Sequence, residues 1–191
     1  MKIEILGGRV IDPARDADAV ANVYVAAGRI AAIGDAPAGW SASRTIDARG
    51  LVVCPGLVDL AARLREPGFE HKATLESELD AACAGGVTSL ACPPDTDPPL
   101  DEPGLVEMLT HRARLQNRVR VHPVGALTQR LEGAEITEMN ELAEAGCVAF
   151  SQADRPVTDT QVLLRAMQYA ATFGFAVWLR AQDAWLGRGG V

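Results

Sequence analysis

The chain has 191 residues, of which 48% are hydrophobic and 23% charged, so it holds enough apolar material for a packed core and the charge content of an ordinary soluble domain. A net charge of −7 and a pI of about 5.0 argue against nucleic acid and anionic membrane surfaces as partners, because both are polyanions. No apolar run reaches the roughly 18 residues of a membrane-spanning helix, and the opening "MKIEILGGRVID" lacks the apolar core and cleavage site of a secretory signal; a cytoplasmic protein is the expectation.

In chain order, residues 1–52 read as a small β-module. "KIEIL" leads into a turn at Gly7 and Gly8, and "RVID" follows. Val23 and Val25 alternate, Ala27 and Gly28 turn the chain, and Ile30 and Ile33 resume, which is the pattern of a hairpin. From residue 51 the rhythm changes. "LVVCPGLVDLAARL" is a nearly continuous apolar run broken by Pro55 and Gly56, as expected where one strand leaves the module and another enters a buried parallel sheet. Thr74 caps a helix that carries Leu75, Leu79, Ala82 and Cys83 and ends at Gly85 and Gly86. "VTSLAC" is the next strand. A helix over 101–116 follows, with Pro103 in its first turn and Leu105, Met108, Leu109 and Arg112 along it. "RVRVHPVGAL" is a strand, 137–145 a short helix ended by Gly146, and "CVAFS" a strand. Thr158 and Gln161 form a capping-box pattern before a helix that stops at Gly174, and "FAVWLR" is a fifth strand. Repeated β-then-α units of this length predict an α/β protein with a parallel sheet under covering helices. A complete (β/α)8 barrel takes about 250 residues. Residues 53–191 would supply only the first five strands, so the chain reads as the N-terminal part of a longer polypeptide, ending in "WLGRGGV" without a terminal helix.

Cys54, Cys83, Cys92 and Cys147 form no C-x-x-C pair and lie in apolar stretches, as buried reduced thiols would. Cys92, at a strand end, has no adjacent histidine base and reads as packing. The three histidines, His71, His111 and His122, are far apart: loop, helix surface and third strand respectively.

Taken together, "GRVIDPARDADAVANVYVAAGRIAAIG", "CPGLVDL", "LREPGFEHKATLE", "AGGVT", "CPPDTDP", "HPVGALTQ" and "AFSQADRPV" resemble, in order and spacing, the dihydroorotase branch of the amidohydrolase superfamily. The resemblance covers essentially the whole chain. It implies a metal-dependent (β/α)8 TIM barrel flanked by a small β-sandwich module. Active members interconvert carbamoyl-aspartate and dihydroorotate, using a zinc-bound hydroxide.

Where the family has D-x-H-x-H on the first barrel strand, this sequence reads Asp59, Leu60, Ala61, Ala62, Arg63. Two histidines so spaced on a strand would point the same way and share one ion. Ala61 has no donor atom, and Arg63 brings a permanent positive charge. Where active relatives carry F-S-D-D-G, the residues are Phe150, Ser151, Gln152, Ala153 and Asp154, with the acid one place late. The fifth strand should deliver a histidine followed by C-E-D; Arg180, Ala181, Gln182 and Asp183 stand there. The resemblance therefore implies lost ligands at Ala61, Arg63, Gln152, Ala153 and Arg180, and hence no catalytic residues and no zinc cofactor. Any remaining ligands would fall beyond residue 191. Arg65 matches the family arginine that holds the substrate carboxylate, whereas Asp95 replaces the asparagine of M-P-N-T with a group that repels it. Arg63 and Arg180 have two readings: structural, paired with Asp59, Asp95 or Asp183, or functional, binding an anion together with Arg65.

The resemblance further implies a non-catalytic subunit supporting aspartate carbamoyltransferase in de novo pyrimidine synthesis, as metal-free dihydroorotase-like proteins do. Two alternatives stand beside it: an active zinc amidohydrolase using displaced ligands such as Asp154, and an anion-binding regulatory module. The open edges of an incomplete barrel predict aggregation, pairing with a second copy, or company from the missing half.

Overall fold

The computed structural model describes residues 1–183, 185 and 186. Much of the closing "WLGRGGV" therefore lies outside the described residues. The chain divides into two compact units, Met1–Pro55 and Gly56–Val191.

The first unit is a mixed five-stranded sheet. Strands β1 (Lys2–Asp12), β2 (Ala17–Ala26), β3 (Arg29–Ile33) and β4 (Arg44–Asp47) lie in the order β3-β2-β1-β4, and β5 (Val52–Val53) also pairs with β1. The expected hairpin is present. Ala27 and Gly28 both take positive φ, 50° and 74°, as a two-residue turn matched to strand twist requires. The expected turn at Gly7 and Gly8 is instead a bulge: β1 runs straight through it, with a register shift against β2 between Ile5 and Gly8. Gly8 is needed for a second reason, since a Cβ there would fall 2.6 Å from Val53 Cγ2. Among the described residues this unit is a single sheet.

The second unit alternates strand and helix. It contains β6 (Leu57–Asp59), α1 (Leu75–Ala84), β7 (Val87–Cys92), α2 (Pro103–Gln116), β8 (Arg120–Ala126), α3 (Met139–Ala145), β9 (Ala149–Ser151), α4 (Thr160–Phe173) and β10 (Val177–Trp178). All four strand pairs are parallel, in the consecutive order β10-β9-β8-β7-β6. This is the α/β half-barrel predicted from the five strands. Alternate side chains go to opposite faces. Leu90 and Phe150 join Leu79, Val106, Leu109, Leu142 and Ala166 in the core beneath the helices. Ala91, Val124 and Ala149 form a separate small cluster, which the alternation puts on the other face.

The helix ends follow their caps. Thr74 and Ser77 exchange hydrogen bonds in a complete capping box ahead of α1. Two starts differ from expectation. Helix α3 begins at Met139, because the Thr137 hydroxyl donates to the Ala126 carbonyl at 2.6 Å and holds that residue in the preceding loop. Helix α4 is capped by Asp159, whose carboxylate accepts from the Gln161 and Val162 amides, and Thr158 has no part in it. On α2 the buried residues are Val106, Leu109 and Ala113, while Met108 and Arg112 face outward. The cysteine expectation is half corrected. Cys92 and Cys147 are buried, whereas Cys54 and Cys83 are exposed.

Candidate functional site at the strand ends

In barrels of this type the chemistry sits where parallel strands end and their following loops begin. Four such ends meet here. The segment after β6 carries Ala61, Arg63 and Arg65. The loop after β7 carries Asp95, that after β9 carries Gln152, Ala153 and Asp154, and Arg180 follows β10.

The structure joins four of these residues into a chain of alternating charge. Arg63 Nε donates to Asp95 Oδ2 at 2.6 Å, and its terminal nitrogen donates to Asp154 Oδ2 at 2.7 Å. Arg180 donates to the other oxygen of Asp154 at 2.9 Å. The sequence Arg180–Asp154–Arg63–Asp95 thus bridges β10, β9, β6 and β7. Arg63 is the most enclosed of the two arginines, its side chain 34% exposed against 67% for Arg180. The hydrogen bond from Arg180, with the positive charges of Arg63 and Arg180, holds the Asp154 carboxyl below its ordinary range against the opposing effect of burial. Asp95 was among the partners expected for the arginines. Asp59 and Asp183 were too, but they serve local backbone instead: Asp59 accepts from the Ala61 amide at 2.9 Å, and Asp183 accepts from the Trp185 and Leu186 amides.

The other positions divide. Ala61 and Ala153 line a cavity of about 340 Å³ beside Arg63, Asp154, Trp178 and Arg180. Ala153 sits at φ 50°, a left-handed conformation that asparagine, aspartate or glycine adopts more readily than alanine. Gln152 is turned out of the cluster. It is 2% exposed, and its amide exchanges hydrogen bonds with the Thr128 hydroxyl at 2.8 and 3.0 Å. Arg65, also left-handed at φ 64°, lines a narrow crevice with Arg63, Phe69 and Asp95 and has no acidic partner among the described residues. The three arginines therefore do not converge on one point. His71 and His111 are exposed and His122 is half-buried on β8, on three separate elements. Among the described residues no group of three or more His, Cys, Asp or Glu side chains is gathered to hold a metal ion. Burial pushes the Cys92 thiol up to about 11, which removes it as a nucleophile near neutral pH.

Two residues that support the site escaped the sequence reading. Thr128, buried after β8, is the partner that draws Gln152 away. Glu66, 5% exposed within the "LREPG" run, accepts from the Leu75 amide at 2.8 Å and pairs with Arg112 on α2. Nothing local in the sequence marks either residue: Glu66 lies nine positions before the Leu75 amide it accepts from.

A family model described as dihydro-orotase-like matches residues 50–191. The chain belongs to the dihydroorotase-like family. Within that family it is 49% identical to a dihydroorotase-like protein of Pseudomonas aeruginosa and 50% identical to one of Pseudomonas putida, in each case over all 191 residues and 45% of the relative's length. A dihydroorotase of Geobacter metallireducens is 41% identical over the same span. The chain thus spans less than half the length of these curated relatives. Among solved structures, the L-hydantoinase of Arthrobacter aurescens superposes with a TM-score of 0.81 at 23% identity, covering 95% of this chain and 41% of the hydantoinase. The N-acyl-D-glutamate deacylase of Bordetella bronchiseptica gives a TM-score of 0.67 at 19% identity, covering 95% of this chain and 45% of the deacylase. Both establish the amidohydrolase barrel as the fold.

Proposed function

We propose that this chain belongs to a catalytically silent dihydroorotase-like protein, a non-catalytic subunit that supports aspartate carbamoyltransferase in de novo pyrimidine synthesis. The observation that carries the first half is the pairing of Arg63. A zinc ion needs lone pairs from nitrogen, oxygen or sulfur. The positions resembling the family's ligands offer methyl groups at Ala61 and Ala153, guanidinium groups at Arg63 and Arg180, and an amide at Gln152 that is committed to Thr128. The nearby carboxylates, Asp95 and Asp154, are already engaged by cations. These residues do not fit a dication, and no metal-assisted step is assigned to them.

The assembly role rests on the family resemblance: a scaffold kept without its chemistry is kept for its surfaces. Metal analysis of the full-length protein tests the first half, with the expectation of no stoichiometric zinc and no turnover of dihydroorotate. Co-purification with aspartate carbamoyltransferase tests the second half, with carbamoylation assayed with and without the protein. A second reading, an active zinc amidohydrolase with displaced ligands, is favoured by the 41% identical relative that carries the name dihydroorotase. One equivalent of zinc together with turnover would establish it.

A further inference from the structure

We propose that a second site, at the opposite end of the half-barrel, binds a small phosphoanion. Where α2 and α3 end and β8 begins, the surface closes around a crevice of about 650 Å³, within the size range of small-molecule sites. Arg114, Arg118, Arg120 and His122 line it, and no carboxylate does. In a chain of net charge −7, such a one-signed lining is a local reversal. Arg118 pairs with Asp80 at 2.8 Å. Arg114 and Arg120 have no acidic partner among the described residues. The Thr110 hydroxyl, also in the lining, is enclosed and has no hydrogen-bond partner. A buried hydroxyl normally finds one.

Basic side chains often stand at helix C-termini, where the macrodipole favours them, and that accounts for Arg114 and Arg118 on their own. It does not account for Arg120 and His122, which stand on β8, or for the unsatisfied hydroxyl. Helix carbonyls on the rim, at the ends of α2 and α3, would repel an anion, so recognition falls to the guanidinium forks, whose planar donors match phosphate oxygens in pairs. Among the lining residues there is no Phe, Tyr or Trp on which a nucleobase could stack, while Ala113, Val119 and Val121 offer an aliphatic wall. The chemistry selected is pyrophosphate or a phosphomonoester with a small aliphatic body. This site is independent of the strand-end cluster and does not rest on the non-catalytic reading.

The test is calorimetric titration with inorganic pyrophosphate, inorganic phosphate and citrate at low and raised salt. Pyrophosphate should bind more tightly than phosphate, citrate should bind weakly, and affinity should fall as salt rises. The double variant R114Q/R120Q should lose about tenfold or more in pyrophosphate affinity. A control double variant, R15Q/R29Q in the first unit, should lose none. Because the double variant could perturb folding, the ring resonances of His122 in the unaltered chain provide a second reading; they should move on adding pyrophosphate while those of His71 stay fixed. Absence of pyrophosphate binding, an unmoved His122, or an equal loss in the control variant would overturn the proposal.

Discussion

At Asp154 one carboxylate serves two guanidinium groups, and its depressed pKa sets a sign. A carboxyl whose folded-state pKa lies below its unfolded value contributes stability above the ordinary carboxylate range, and that contribution disappears as pH falls through the folded value. Asp154→Asn should therefore be less stable than the parent at neutral pH and indistinguishable from it at strongly acidic pH. Urea midpoints measured across pH check this. The neutral-pH difference should stay below about 1 kcal/mol, because the Asp154 and Arg180 side chains are 53% and 67% exposed. Ala153 gives the opposite kind of test. Glycine removes the Cβ clash at φ 50°, so Ala153→Gly should raise the urea midpoint by the equivalent of about 0.5–1 kcal/mol at unchanged m. The identities at the strand ends were legible from the sequence, since the motif positions could be read off one by one. The pairings were only half legible. Charge alone offered Asp59, Asp95 and Asp183 as partners, and only the loop conformation after β9 brings Asp154 between two arginines.

Helices α1 and α2 are tied at one buried acid. Glu66 holds the first amide of α1 through one oxygen and Arg112 of α2 through its carboxylate charge. Replacement by alanine leaves the buried Leu75 amide without its acceptor, while the half-exposed Arg112 regains water, and should destabilise the protein by about 1–3 kcal/mol in chemical denaturation. Glu66→Gln keeps an acceptor for Leu75 and should be milder. Element types were readable because period-two and helical patterns alternate with Gly, Pro and Thr punctuation, and the Thr74 cap fell where expected. Boundaries depended on contacts distant in sequence. Thr137 bonds Ala126 rather than opening α3, and the glycine pair in β1 bulges between stretches that β2 pairs on both sides, with β4 pairing before it and β5 after it.

Across the whole molecule, the parallel sheet ends in two strands that each pair on one side only among the described residues, β6 and β10. On β6, Leu57 and Val58 are 54% and 63% exposed. Open, apolar strand edges recruit further strands. Sedimentation of the 191-residue chain should show concentration-dependent association, and Val58→Lys should shift it toward monomer. A compact, stable monomer for the unaltered chain would remove this expectation. Fold class was legible at this scale because β–α alternation admits few architectures. The second basic crevice was not, since Arg114, Arg118, Arg120 and His122 read in sequence only as a helix end and a strand.

The bond between Gln152 and Thr128 also bears on what one substitution could achieve. Restoring an acid at position 152 alone would shorten the side chain by one methylene, forfeit the Thr128 contact and leave an ionised group in a nearly dry place. Position 63 would still hold a cation. Single substitutions toward the family's ligand set are thus each uphill, so on the proposed reading a metal site could be assembled here only by changing several strand ends together.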